Sequence, residues 1–302
     1  MAEVLAVKHW RDSASFDAQD RALLAFCEKF TFESGFMTAA DLHSLRTVGF
    51  SEKQALDIVL ICGYRHYIAR IADGVGIDLD PMMQTVKDIV TTYSYEHVSG
   101  ESPLAAALKQ SAGKATPLEG TTSGPWIATV PDAEVDPSVQ AVYRAWQGEF
   151  GVVPNLLRAL SFHPKALCTA DAFRKGVTFG GSGLGMRREN LIALTAADIN
   201  RSPYFLAWHG ELLRRELGSR DAAIRMRDWR NAGLERAEEQ MLSFAEKLTL
   251  DEGRMNQDDA DALRAVGFTD PLILDVIVEV AYLNCFTRIA NALGVPVDAE
   301  WR

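Results

Sequence analysis

Residues 20–80 and 238–298 align on each other without a gap, and this repeat constrains the fold more than any other feature of the chain. Phe26 falls on Phe244, Glu28-Lys29 on Glu246-Lys247, Gly35 on Gly253, Leu45-Arg46 on Leu263-Arg264 and Val48-Gly49-Phe50 on Val266-Gly267-Phe268. The register holds through Asp57 with Asp275, Tyr64 with Tyr282 and Arg70-Ile71-Ala72 with Arg288-Ile289-Ala290, and ends at Gly76 with Gly294. A segment that occurs twice is expected to build the same local structure twice, each time with an apolar face that needs cover.

Each copy reads as three helices. The first ends near Thr31 or Thr249; Thr38 or Asn256 caps the second, which Gly49 or Gly267 closes as a C′ glycine. Ser51 or Thr269 caps a third, long and largely apolar helix that stops near Gly76 or Gly294 and is expected to be buried on most sides. No stretch alternates convincingly as a strand does, so the fold class is all-α. Between the copies, 99–131 is rich in Gly, Ser, Thr and Pro and reads as a linker. Further helices are expected at about 138–149, 154–160, 164–176, 186–199, 203–217 and 220–230. The implied organisation is an N-terminal helical half module (1–98), the linker, and a complete helical domain (132–302); 302 residues suffice for both cores.

Charge narrows the partners. With 41 acidic against 31 basic residues and a net charge of -10, the chain has no basic face with which to neutralise phosphates. Nucleic acid and anionic membrane are therefore not expected partners, whereas a small molecule or another protein is. No run reaches the roughly 20 apolar residues of a membrane span, and the first residues lack a signal-peptide layout, so a cytoplasmic location is expected. Cys27, Cys62, Cys168 and Cys285 are far apart and lie among apolar helical residues, which reads as buried free thiols. No metal-ligand spacing stands out, and neither a metal nor a cofactor is expected. Gly180-Gly181-Ser182-Gly183 follows no strand and lacks the P-loop lysine; it reads as a turn.

The segment Asn200-Arg201-Ser202-Pro203-Tyr204-Phe205-Leu206-Ala207-Trp208-His209 carries a resemblance. It is preceded by Phe150-Gly151-Val152-Val153-Pro154-Asn155-Leu156-Leu157-Arg158-Ala159, by His163-Pro164 and by the helix 187–194. In this order the features from about 131 onward resemble the alkylhydroperoxidase-D-like, carboxymuconolactone-decarboxylase-like family, in particular its peroxidase-related members. In those, the motif reads roughly Asn-x-Cys-x-Tyr-Cys, three residues, then His, with a Glu in the preceding helix. Here Ser202 and Phe205 stand at the cysteine positions and Asn190 at the Glu position; Glu189 sits one place earlier, about 100° around the helix. Only His209 remains of the four. A hydroxyl and a phenyl ring cannot cycle as a dithiol, so peroxidase chemistry by this motif is not expected.

The resemblance then implies a non-redox enzyme acting by acid/base chemistry on a small, carboxylate-bearing molecule, as a decarboxylase, isomerase or hydrolase. His209 would be the acid or base, Tyr204 and Asn190 would orient or polarise the substrate, and Ser202 with the helix N-terminus would hold an anionic group. Phe205, Trp208 and Glu189 would flank the pocket, and the protein would be a homo-oligomer, a dimer. Ser202 is too far along the helix from His209, about 10 Å, to form a dyad with it. The rival reading is an inactive structural or partner-binding module in which His209 is a core histidine. A deep, polar, solvent-open pocket at His209 would favour the enzyme, and a filled core the rival. A third reading, alkylhydroperoxidase-type antioxidant activity, would need a remote cysteine such as Cys168. Finally, His66 and Arg70, matched by Asn284 and Arg288, read as polar groups in interhelix bonds whose acceptors are not Asp57 or Asp275.

Overall fold

A computed structural model describes residues 7, 10–78, 106, 124–178, 180–219 and 226–301. Among these residues there are eleven α-helices and no strand. In chain order they are α1 (Ala18–Phe32), α2 (Ala39–Thr47), α3 (Glu52–Val75), α4 (Pro137–Phe150), α5 (Asn155–Ala159), α6 (Pro164–Val177), α7 (Met186–Ile199), α8 (Pro203–Leu217), α9 (Arg236–Leu250), α10 (Gln257–Ala265) and α11 (Asp270–Ala292). Most of the 99–131 linker lies outside the described residues, as does 220–225 of the helix expected at 220–230. The described end of that segment is turn followed by a short 3-10 element at Trp229–Asn231, so the expected helix does not extend there.

The two sets of three helices, α1–α3 and α9–α11, share their local chemistry. Lys29 pairs with Asp41 and Lys247 with Asp259, both at 2.7 Å, tying the first helix of each set to the second. Asp41 also accepts from the backbone N–H of Thr38, and Asp259 from that of Asn256, at 2.7 and 2.9 Å, which closes the N-terminus of α2 and of α10. Arg46 pairs with Glu52 and Arg264 with Asp270 across the following turn, where Gly49 and Gly267 take positive φ. The first and second sets differ in what covers their long helix. α11 is enclosed from Val276 to Ala292 almost without interruption. α3 buries only Ala55, Leu56, Val59, Gly63, His66 and Arg70, and Ile61 and Tyr64 are 60% and 56% exposed. The expectation that both long helices are buried on most sides therefore holds for α11 alone: α7, α8 and α9 pack on it, whereas the extensive contact of α3 is with α11.

That α3–α11 contact is close because glycine permits it. A Cβ on Gly63 would fall 2.7 Å from Ile289 Cδ1, and one on Gly74 2.8 Å from Ile277 Cγ2. Its polar rungs cross from one set of helices to the other. Arg70 Nη2 donates to the Thr249 carbonyl at 2.9 Å and reaches Glu252 at 3.5 Å, while Arg288 Nη1 donates to Ser34 Oγ at 3.0 Å. Each buried arginine thus takes an acceptor from the opposite set, Arg70 bonding also to the His66 carbonyl on its own helix, and Asp57 and Asp275 bind elsewhere, to Lys53 and to the Gly183 N–H. The described end of the segment expected as a linker is docked: Trp126 N–H donates to the Leu293 carbonyl at 2.8 Å, and Ile127 is buried.

Candidate functional site

The motif sits at the junction of α7 and α8. Ser202 N–H closes back on the Ala197 carbonyl, and Arg201 takes a positive φ of 50°, which turns the chain sharply between the two helices. Asn200 is buried beneath this turn; its amide donates to Asn284 Oδ1 and Thr287 Oγ1 on α11, both at 3.0 Å, and its carbonyl accepts from Asn291. Pro203 starts α8 as its sequence predicts. Ser202 does not cap that helix through its side chain: Oγ is fully buried, 0% exposed, without a hydrogen-bond partner. The hydroxyl expected to help hold an anionic substrate group is thus enclosed in the fold.

The structure does bring His209 and Asn190 together. Imidazole Nδ1 lies 2.9 Å from Asn190 Oδ1, so the ring donates to the amide oxygen. The contact follows from the helical hairpin: one face of α8 packs along α7, which is buried over Glu189–Ala197. His209 is only 3% exposed and lies between aromatic neighbours, with ring centroids 5.8 Å from Phe205 and 5.7 Å from Trp208, each near parallel. Burial drives its imidazole from the ordinary 6.5 down to about 3, so the ring is neutral at physiological pH. The histidine is enclosed, as a core residue would be, but its partner is a side-chain amide rather than a main-chain carbonyl.

The other expected site residues are enclosed or tied to partners of their own. Tyr204, expected to face a pocket, is buried, and its hydroxyl donates to Asp298 Oδ2 at 2.9 Å. Phe205 is core. Trp208 lines a cavity of about 20 Å³, room for one water, together with Trp146, Leu157, Arg174, Tyr282 and Phe286. Glu189, expected beside the substrate, holds the 180–183 turn instead, accepting from the Gly180 N–H at 2.9 Å and the Ser182 hydroxyl at 2.6 Å. A larger cleft of about 570 Å³ lies between the start of α7 and the 226–238 segment, walled by Met186, Arg187, Arg188, Glu216 and Glu238. Neither cavity is lined by His209.

Two buried carboxyls near the motif escaped the sequence reading. Asp298 accepts from Tyr204 and from the Asn155 N–H, and burial pushes its pKa up to about 6. Glu279 on α11 is wholly buried and is held well above the carboxylate range, first by burial and then by Glu189. A signal for Glu279 did exist: it is the lone acid inside the apolar run Val276-Ile277-Val278-Glu279-Val280. None existed for Asp298, because its partner is 94 residues away. The cysteines also need correction. Cys27, Cys62 and Cys168 are half-buried and only Cys285 is buried, and Cys27 and Cys62, 35 residues apart, meet with their sulfurs 3.2 Å from each other.

The all-helical architecture and the α7–α8 motif hairpin define the class of protein. The structure is similar to an uncharacterized peroxidase-related protein from Silicibacter sp. TM1040, with 27% identity, a TM-score of 0.55, and coverage of 60% of this chain and 97% of that one. A peroxidase-related protein from Ralstonia eutropha JMP134, an alkylhydroperoxidase AhpD core, matches with 22% identity and a TM-score of 0.57 over 60% of this chain and 96% of its own. A variant of the debrominase Bmp8, solved in complex with 2,3,4-tribromopyrrole, shares the fold with 15% identity and a TM-score of 0.50 over 60% and 93% of the two chains. No protein-family model and no curated protein matches the sequence. The chain thus shares the all-helical fold of these alkylhydroperoxidase-D-like, peroxidase-related proteins.

Proposed function

We propose that the motif centre has turned from a reaction site into structural core, and that this protein is a binding or scaffolding member of its superfamily rather than an enzyme acting through that centre. The observation that carries this reading is His209: buried, neutral, bonded to Asn190 and flanked by Phe205 and Trp208. A general acid or base must reach substrate and change charge near the working pH, and this imidazole is placed to do neither. The test is the titration of His209 in the intact chain by NMR. The imidazole should stay in one neutral form from about pH 8 to about pH 5, well above its folded pKa. A transition near 6.5, or catalysis on any hydroperoxide or lactone substrate that His209→Gln abolishes without loss of fold, would overturn the proposal.

The acid/base enzyme remains as a second reading because of Asp298. A carboxyl with a pKa of about 6, hydrogen-bonded to the phenol of a motif tyrosine, has the proton affinity of a general base near neutrality. On that reading the reactive pair is Tyr204 with Asp298, and a turnover lost in Asp298→Asn but kept in His209→Gln would select it.

A further inference from the structure

We propose that Cys27 and Cys62 form a dithiol that is oxidised reversibly to a disulfide bridging α1 and α3. Their sulfurs lie 3.2 Å apart. A disulfide needs about 2.05 Å, so closure takes a movement of roughly 1 Å, within the reach of side-chain rotation. The helices are already held in register at this level. One turn further along each, Thr31 Oγ1 lies 3.3 Å from His66 Nε2. Both thiols are half-buried, which leaves an approach from solvent, whereas Cys285 is buried.

The second copy shows that packing does not demand sulfur here. At the equivalent positions it has Ala245 and Val280, while it keeps the neighbouring rung, Asn284 Nδ2 donating to Thr249 Oγ1 at 3.0 Å. Two cysteines have therefore been placed, in the first copy alone, at the one level of the α1–α3 contact where their sulfurs touch. The chain that lacks a dithiol in its motif helix carries one at a different place in the fold.

The chemistry balances with a low-molecular-weight disulfide as oxidant. Either sulfur can donate to the other, and with Cys62 as donor the hydrogen bond lowers the proton affinity of Cys27, which makes Cys27 the attacking thiolate. Cys27 displaces one thiolate from the small disulfide and forms a mixed disulfide. Cys62, losing its proton to solvent, attacks the Cys27 sulfur and displaces the second thiolate, and both leaving groups are protonated. Two protein thiols are oxidised and one small disulfide is reduced to two thiols.

The test exposes the full-length chain to oxidised glutathione, quenches it with an alkylating agent and maps it by mass spectrometry without reduction. The expected result is a Cys27–Cys62 linked peptide, a loss of two of the four alkylatable thiols with Cys168 and Cys285 retained, and full recovery in dithiothreitol. Cys27→Ala and Cys62→Val install the residues of the second copy and so are suited to keep the fold. Cys62→Val and Cys27→Ala should each abolish the linked peptide, the remaining thiol of the pair carrying at most a glutathione adduct that dithiothreitol removes. Native chain in which Cys27 and Cys62 are each alkylated after oxidation, or a bridge that forms only in urea, would overturn the proposal. So would preferential modification of Cys168.

Discussion

His209 and Asp298 should tilt the stability of this protein in opposite directions as pH falls. For His209 the folded pKa, about 3, lies below the ordinary 6.5. The unfolded chain takes up a proton below 6.5 that the native state refuses, so the stabilisation is complete above 6.5 and is lost as pH falls toward 3. At about 1.4 kcal/mol per unit, this loss is about 3 kcal/mol between pH 6.5 and roughly 4.5. Asp298 behaves in reverse. Its folded pKa of about 6 exceeds the ordinary 3.8, so its contribution is complete below 3.8 and is lost as pH rises through 6, also by about 3 kcal/mol. His66 and Glu279, shifted down and up, add one slope of each sign. Denaturant titrations across this window should separate the first two. In His209→Gln, stability should fall less on acidification than in the parent chain. In Asp298→Asn, which can still accept from the Asn155 N–H and donate to the Tyr204 oxygen, it should fall more. Parallel pH profiles for the parent and both variants would mean that neither group is shifted as its burial requires.

At the scale of elements, the sequence carried the helices but not their cover. The limits of α7 and α8 follow from Pro203, the Gly180–Gly185 turn and an apolar periodicity strong enough to place both helices to the residue. The caps of α2 and α10 are local, and local chemistry is legible. The exposure of α3 was not, because α3 and α11 have similar sequences and differ in which elements pack on them. Nor was the His209–Asn190 pair an outcome that spacing could decide between pocket and core. That depends on Phe205, Trp208 and the enclosing helices together. One contact between elements yields a matched pair of predictions. Gly35 presses on the motif turn, where an added Cβ would meet Arg201 Cβ at 2.6 Å and the Asn200 carbonyl at 3.0 Å, whereas Gly253, its counterpart, has open space. Gly35→Ala should cost about 1–3 kcal/mol by overpacking, and Gly253→Ala should stay within about 0.5 kcal/mol of the parent in a urea titration. Equal effects would show that α1–α3 do not brace the motif.

For the whole molecule, we propose that α1–α3 cover α9–α11 in a pseudo-symmetric arrangement, taking a place that a neighbouring subunit fills in relatives with a single module. The exchange of arginines supports it: Arg70 reaches Thr249 and Glu252, and Arg288 reaches Ser34, the repeat counterpart of Glu252. Removing 1–129 would strip Ile277 and Ile289 of the close approach of α3 and take from Arg288 its Ser34 partner. A fragment of residues 130–302 would then expose the apolar side of a helix that is buried along most of its length. Such a surface is satisfied by self-association or by aggregation. Light scattering coupled to size exclusion should therefore find the fragment aggregated or in oligomers larger than the homodimer expected of the full-length chain. A soluble fragment that elutes as a stable monomer would mean that α9–α11 do not need the first copy, and that the repeat serves some purpose other than cover.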